Sequence, residues 1–381
     1  MYRKFSADQF FSGKELLAPS SVLITDQAGT VIDLVNREDA GDDVQHFQGI
    51  LSPGFVNSHC HLELSHMKGV IPQQSGLVDF VLEIIKHRNA PQEKILSAIE
   101  AAENEMFENG IVAVGDICNT NHTIAQKIKS RLQYYNFIET SGFPPAVAEI
   151  RFQQIEELYK EFVSQLQNVS IVPHAPYSVS TSLLNKIVAH EESIILSMHN
   201  QEAVEENELF IDKSGDFLRL YDQLNINTDF FNPPGKTSLQ YLIPYFKKSK
   251  PTILVHNVHT SEADVIKSVS YFDTSSLYYC LCVNANLYIN NALPTISHLM
   301  KHDCNIVIGT DSLASNNQLS ILEEINTIKK HFPALSMSQL LQWATINGAK
   351  ALGIDDMYGS FEKGKRPGVI VINENKVKRL I

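Results

Sequence analysis

The sequence predicts an α/β chain: a (β/α)8 barrel of the TIM type, with a small β-sandwich domain assembled from both chain ends. Three observations predict it. Between residues 51 and 355, eight short apolar runs alternate with longer amphipathic segments. Both chain ends read as short strands and turns instead. Histidines and an aspartate fall where the apolar runs stop, which in a barrel is one face.

The elements follow in order. Residues 1–50 form the first part of the β-domain: Ser21 to Asp26 alternates as a strand, Gln27 to Thr30 is a turn, and Val31 to Val35 is the next strand. The opening MYRKFSADQFF has no long apolar segment behind its basic residues, so it is not expected to be a secretory signal. Eight barrel strands are expected at Gly54 to Ser58, Ile111 to Cys118, Gln133 to Glu139, Val169 to His174, Ser193 to His199, Thr252 to His256, Leu277 to Val283 and Asn305 to Asp311. Most are nearly continuous in apolar residues, as parallel strands buried on both faces require. Between them, Leu77, Val78, Val81, Ile84 and Ile85 share one helix face. Ile95 to Asn109 begins after Pro91 and stops at Gly110, and Leu183 to His190 and Ser261 to Ser270 are further helices. The tail from about Tyr358, with Gly368 to Ile372, returns to strand, so residues 356–381 join residues 1–50.

Bulk properties narrow the function classes. The chain has 381 residues, 44% hydrophobic and 19% charged, enough for a sizeable core. A formal net charge of −12 with no local basic cluster argues against nucleic acid and anionic membrane surfaces as partners. No run approaches the roughly 18 apolar residues of a membrane span. Five cysteines, an odd number in a long chain, argue against a disulfide framework and for a cytoplasmic setting. Cys280 and Cys282, placed in one strand, would face the same side, but no second pair completes a zinc set.

The chemistry lies in the strand ends. His59 and His61 follow the first barrel strand, His174 the fourth, His199 the fifth, His256 the sixth and Asp311 the eighth. In extended backbone, residues i and i+2 point to one side, so His59 and His61 can hold one ion from adjacent directions. His199 can add a third nitrogen and Asp311 an oxygen. Three imidazoles and a carboxylate suit one divalent ion, Zn2+ first, with Fe2+ or Mn2+ as alternatives.

These segments resemble the amidohydrolase superfamily. PGFVNSHCHLELS is similar to its histidine-pair signature, VPHAPYSVS to its HxPY segment, and SMHNQEAVEEN to the His-x-x-Glu motif of its deaminase branch. LVHNVHT, CVNANLYI and GTDSLASNN resemble its sixth, seventh and eighth strand segments, and FEKGKRPGVIVI continues the likeness more weakly. The branch most resembled contains the cytosine, guanine and S-adenosylhomocysteine deaminases. The resemblance implies that His59, His61, His199 and Asp311 bind one metal and that Glu202 shuttles protons. It implies too that His256 orients the hydroxide or the tetrahedral intermediate, and that His174 and Ser315 contact substrate. Binuclear branches carry a carboxylated lysine at a middle strand end; here those ends are Glu139-Thr140 and His174, which favours one metal. Two segments depart from the family pattern: Arg366-Pro367-Gly368 in the tail and Cys282-Val283-Asn284 at the seventh strand.

Other residues carry weaker expectations. Glu63 reads equally as a substrate contact, from the likeness of HLELS to aminodeoxyfutalosine deaminases, or as a loop residue bonded to its own backbone. Arg151 is a candidate for an acidic substrate arm, in one chain or across a homodimer interface, or a surface residue. Trp343, Tyr134 and Tyr135 read as buried. Loops 62–90, 140–153 and 203–237 would set specificity, and 203–237 is long enough to form a lid. The expected function is hydrolytic deamination of an aromatic amine on a small molecule. Within it, the adenine ring of a 5′-modified nucleoside such as aminodeoxyfutalosine or S-adenosylhomocysteine is favoured. The alternatives are a cyclic-amide hydrolase like imidazolonepropionase or a chlorohydrolase on the same site, and, in another class, a non-catalytic binding protein.

Overall fold

The computed structural model describes residues 2–381. Its strands are β1 (Arg3–Phe11), β2 (Leu16–Leu17), β3 (Ser21–Thr25), β4 (Val31–Asn36), β5 (Val44–Ser52), β6 (Phe55–Cys60), β7 (Ile111–Cys118), β8 (Gln133–Thr140), β9 (Val169–Pro173), β10 (Leu196–Asn200), β11 (Thr252–His256), β12 (Leu277–Leu281), β13 (Asn305–Ile308), β14 (Ile370–Asn373) and β15 (Lys376–Arg379). Helices separate the strands from β6 to β13, and every strand pairing among these eight is parallel. They form two four-stranded ladders, β6-β7-β8-β9 and β10-β11-β12-β13.

Two seams join the ladders into a ring. Between β9 and β10, His199 N donates to His174 O at 2.9 Å and Ile171 N to Ser193 Oγ at 2.7 Å. Between β13 and β6, Thr310 N and Asp311 N both donate to His59 O, at 3.0 and 3.1 Å. Asn57 completes this seam, donating to Thr310 Oγ1 at 2.7 Å and accepting from Thr310 N at 3.0 Å. Gly309 permits the approach: a Cβ there would lie 2.8 Å from His59 Cβ and 2.9 Å from Cys280 Sγ.

Strands from both chain ends build one seven-stranded sheet, ordered β15-β14-β5-β1-β3-β4 with β2 on β1. β14 runs antiparallel to β5, with Ile370 opposite Ser52, so the ends do meet. Phe5, Phe10, Leu23, Leu51, Phe361 and Val371 form the buried cluster on this sheet. β1 and β5, nine residues each, were not individually expected; polar and charged residues interrupt both too often for a clear alternating pattern.

Local chemistry sets the helix ends. Pro91 precedes helix Gln92–Glu108, and Gly110, at φ 78°, follows it. Ser261 and Asp264 form a capping box on helix Glu262–Tyr271. Of the expected helix face, Leu77, Val81, Ile84 and Ile85 of helix Leu77–His87 border the cavity at the barrel mouth, while Val78 is buried off its wall.

Several strand boundaries differ from expectation by one to three residues, β6 for example running to Cys60 and so including His59, and three of the differences have a visible cause or consequence. β10 begins at Leu196, because Ser193 and Ile195 bond to Ile171 and Tyr135 outside the ladder. β12 stops at Leu281 and Cys282 caps helix Val283–Asn290, so the two cysteines do not share a strand face. β13 stops at Ile308, and Asp311 sits in the left-handed region at φ 58°. All five cysteines are free, and no helix among the described residues is long and apolar enough to cross a membrane.

Two buried charges support the ring. Lys127 Nζ lies 2.6 Å from Asp116 Oδ2 with both side chains fully buried, and Asp116 Oδ1 accepts from Leu62 N at 2.8 Å, just past the histidine pair. Replacing Lys127 by methionine strands the Asp116 charge. Urea unfolding is expected to show a loss of about 3–5 kcal/mol; unchanged stability would mean that Asp116 is not held by this pair.

Glu324 accepts from Asn284 N at 3.1 Å and from Asn316 Nδ2 at 3.0 Å, and so ties the loop after Asp311 to the loop after β12. Burial pushes its carboxyl up to about 8. A carboxyl raised on folding stabilises the protein while protonated, so its contribution is full below about 4.5 and is lost as pH rises through about 8. Glu324→Gln is therefore expected to flatten the fall in thermal stability between those values. A variant with the wild-type slope would exclude Glu324 as its source.

Candidate active site

The site is assembled at the C-terminal ends of the barrel strands. His59 and Cys60 end β6, His61 follows, His199 lies in β10, His256 ends β11, and Asp311 follows β13. The ring brings these residues together. His61 Nε2 lies 3.1 Å from His59 Nε2 and 3.2 Å from His199 Nε2. Asp311 Oδ1 is 3.3 Å from His61 Nε2 and 3.5 Å from His59 Nε2. All four side chains are buried.

Hydrogen bonds define which nitrogens are free. His199 Nδ1 donates to His174 O at 2.8 Å, which leaves its Nε2 lone pair directed inward. Burial lowers the pKa of His59, and that of His61 to about 3, so both rings are neutral. Three bare imidazole nitrogens so close together repel unless a cation sits among them. Ligands about 2.0–2.1 Å from a tetrahedral zinc stand a little over 3 Å apart, so the donor set fits a divalent ion.

His256 is also within reach: its ligand atom lies within 4.8 Å of those of His59, His199 and Asp311. Proximity alone would make it a ligand in place of His61. Its hydrogen bonding points elsewhere. Asn286 Nδ2 donates to His256 Nδ1 at 2.9 Å, which puts the ring proton on Nε2, 3.6 Å from Glu202 Oε1. A protonated Nε2 donates and does not ligate. His59, His61, His199 and Asp311 form the tighter set.

The carboxyls have divergent environments. Burial would raise Asp311, but the imidazoles of His59, His61 and His256 packed around it hold it well below the usual range. Its other oxygen accepts from Ser315 Oγ at 2.5 Å. Glu202 is pushed well above the usual range by burial, with Asp311 and Glu206 adding to it. One acid is thus pushed up and its neighbour held down, a separation suited to acid–base work.

A cavity of about 1030 Å3 opens above this set. His61, His174, His199, Glu202, His256 and Asp311 border its inner end. Beyond them the wall is mixed: Phe80, Ile84, Phe143, Leu220, Tyr221 and Ile226 are apolar, while Arg88, Arg151 and Glu161 are charged. Segment 203–237 includes helices Val204–Asp212 and Phe217–Gln223, fixed by Phe217 stacked on Tyr177 at 4.1 Å and Tyr221 on Phe143 at 4.7 Å. A second cavity, about 530 Å3 and lined by Lys127, Arg131, Arg366 and Arg379 among others, contains none of the expected site residues.

The remaining expected residues divide. His174 borders the cavity, with Nδ1 2.7 Å from Ser178 Oγ, and burial lowers it to about 4. Arg151 borders the outer cavity and is exposed. Ser315 is fully buried behind Asp311, while its neighbour Ser312 reaches the wall. Glu63 spends its carboxylate on Asn119 N, Thr120 N, Thr120 Oγ1 and Arg88 Nη2, at 2.7–3.2 Å, and is not on the wall.

Sequence reasoning missed Asn286 and Glu139. Glu139 lies one residue from the end of β8, with its Oε1 3.4 Å from His199 Nδ1. Burial would raise its carboxyl, but His174, His199 and His61 hold it at about 2. Its strand-end position was the available signal. Asn286 carried none, since only the turn after β12 aims it at His256.

Comparison with known proteins agrees with this architecture. Residues 50–380 match the model of the Amidohydrolase family. The 5-methylthioadenosine/S-adenosylhomocysteine deaminase of Saccharophagus degradans is 25% identical over 349 residues, covering 87% of this chain and 72% of that protein. Helicobacter pylori aminofutalosine deaminase, in complex with methylthio-coformycin, superposes with a TM-score of 0.84 at 23% identity, covering 98% of this chain and 93% of that one. An adenosine deaminase from Xanthomonas campestris with bound zinc gives 0.76 at 20% identity, covering 97% and 84%. With eight parallel strands closed around a histidine and aspartate set and a family match across most of its length, this chain belongs to the amidohydrolase family.

Proposed function

We propose that this protein is a metal-dependent hydrolytic deaminase acting on the adenine ring of a nucleoside with a modified 5′ arm. The observation that carries it is the position of Glu202, a buried carboxyl on the cavity wall whose Oε1 lies 3.6 Å from His256 Nε2, beside the histidine and aspartate set.

An aromatic carbon bearing an amine accepts water only when the adjacent ring nitrogen is protonated. Glu202 supplies that proton and then carries another to the leaving amine, which departs as ammonia. Asp311, ionised, takes the proton of the attacking water. His256 Nε2–H donates to the oxygen that adds to the ring, fixed in that tautomer by Asn286. His59, His61, His199 and Asp311 would hold the ion, zinc by preference, whose Lewis acidity lowers the pKa of water towards neutrality. His174 would contact the purine, and Arg151 an acidic arm. Ser315 would act through Asp311, and Glu63 through the loop it anchors.

The substrate class is supported by the relatives' activities on adenine nucleosides and by a cavity that extends beyond the histidine and aspartate set, lined by apolar side chains together with Arg88 and Arg151, with room for a 5′ substituent. Aminodeoxyfutalosine and S-adenosylhomocysteine are the leading candidates. Segment 203–237 would close over the bound arm as a lid. Residues 1–50 with 356–381 would form a small β-sandwich domain and 51–355 the catalytic barrel. Five free cysteines fit a reducing cytoplasm.

The test is ammonia release by the zinc-loaded protein from aminodeoxyfutalosine, S-adenosylhomocysteine, adenosine, guanine and cytosine. One nucleoside is expected to release ammonia rapidly, and Glu202→Gln to slow it by about 100-fold or more. No ammonia from any of them, at one zinc per chain, would move the function to ring-opening or dechlorinating hydrolysis. Dialysis against a chelator is expected to abolish turnover, and added zinc to restore it. Full activity in protein shown to be metal-free would exclude the metal's role.

A further inference from the structure

The second cavity lies at the opposite end of the barrel from the histidine and aspartate set. Val112 and Gln133, at the starts of β7 and β8, form part of its wall. The sheet built from the chain ends supplies the rest, through Arg379 of β15, the turn at Ala28 and Gly29, and the tail segment at Arg366 and Gly368 that departs from the family pattern. Its volume, about 530 Å3, is that of a small-molecule site, and such sites favour junctions between structural units. The chemistry above uses none of its residues.

Arg131, Arg366 and Arg379, far apart in sequence, meet on this cavity. Among the described residues, arginine–carboxylate pairs are made by Arg88 and Arg219 alone, so these three have no carboxylate side chain bound. Arg379 Nε donates to Phe107 O at 2.9 Å, Nη2 to Ile111 O, and Nη1 to Ile381 O at 3.5 Å. Arg131 Nη1 donates to Asn104 Oδ1, and Arg366 Nη2 to Ala28 O at 3.1 Å. A guanidinium carries five N–H groups, so most donors of the three are unspent. Arg131 and Arg379 also share one aromatic ring: their Cζ atoms lie 4.4 and 4.0 Å from the centroid of Phe107. Phe107 thus gathers two like charges. Burial, and the Arg131 charge beside it, push Arg379 down to about 10. Asp26 feels the Arg366 charge without pairing with it, and Lys127 is neutralised by Asp116. Like charges held together in this way are relieved by an anion placed between them.

The unspent donors come from more than one guanidinium, which suits the several oxygens of a phosphate better than the two of a carboxylate. The remaining wall includes the amides of Gln133, Gln165 and Gln167, which suit a hydroxylated body attached to that phosphate. We propose that this cavity is a second ligand site, in which Arg131 and Arg379, with Arg366 on the same cavity, hold the phosphate of a small phosphorylated metabolite. The site is independent of the deaminase reading.

The test is calorimetry on the zinc-loaded protein with ribose 5-phosphate, and with ribose and inorganic phosphate as the two halves of that probe. Arg131 and Arg366 are exposed, so Arg131→Gln and Arg366→Gln are expected to fold and to melt as the wild type does without ligand. Ribose 5-phosphate should bind at a single site per chain, more weakly as salt is added. Each glutamine variant should weaken it by about 10-fold or more, and Arg131→Lys should fall between, since an ammonium keeps the charge but not the planar fork. Ribose should not bind, and inorganic phosphate should bind more weakly than the sugar phosphate. An absence of saturable binding would overturn the proposal. So would wild-type affinity in both glutamine variants, which would put the anion elsewhere, for example at the metal. Inorganic phosphate binding as tightly as ribose 5-phosphate would overturn it too, because the amide wall would then contribute nothing.

Discussion

At the seam between β13 and β6, the backbone of His59 does two things at once. Its carbonyl accepts from Thr310 N and Asp311 N and closes the ring of strands, while its side chain enters the histidine set. Closure and site assembly are thus one interaction. Gly309 allows it, since any Cβ would strike His59, and Asn57 reinforces it from below. Asp311 is delivered to the histidines in the left-handed region, a conformation that costs energy in most residues and persists because the seam enforces it.

Around this seam the molecule buries many ionisable groups, and several have a partner that sets their state. His199 is held in one tautomer by a carbonyl of the neighbouring strand, and His256 by an amide beyond the next one. Asp311 is ionised among imidazoles, while Glu202 stands where burial dominates and keeps its proton. Deeper still, Asp116 and Lys127 neutralise each other and anchor the turn after the histidine pair. The same low dielectric that makes unpaired charges costly makes these paired ones specific.

The mouth follows a different logic. Helix Leu77–His87 and segment 203–237 turn apolar side chains towards the cavity, and stacked aromatic pairs hold that segment in place. A polar, preorganised inner end thus lies below a wall in which these apolar side chains are joined by charged ones such as Arg88 and Arg151.

The sequence by itself determined the barrel, its eight strands in order, and which histidines and carboxyls gather at the strand ends. Buried parallel strands write continuous apolar runs, and a barrel gathers their ends on one face whatever lies between. It also determined that the chain ends share a β-layer, though strands as mixed in polarity as Arg3–Phe11 and Val44–Ser52 left no sharp signal. Only the tertiary structure decided how the remaining polar groups divide. Ser315 turned to Asp311 and Glu63 to the loop at Asn119, because each found a nearer partner than the cavity. Asn286 reached His256, and Glu139 was left with one buried oxygen 3.4 Å from His199 Nδ1. Such outcomes depend on ångström-scale distances between strands far apart in sequence, and hydrophobic periodicity does not encode them.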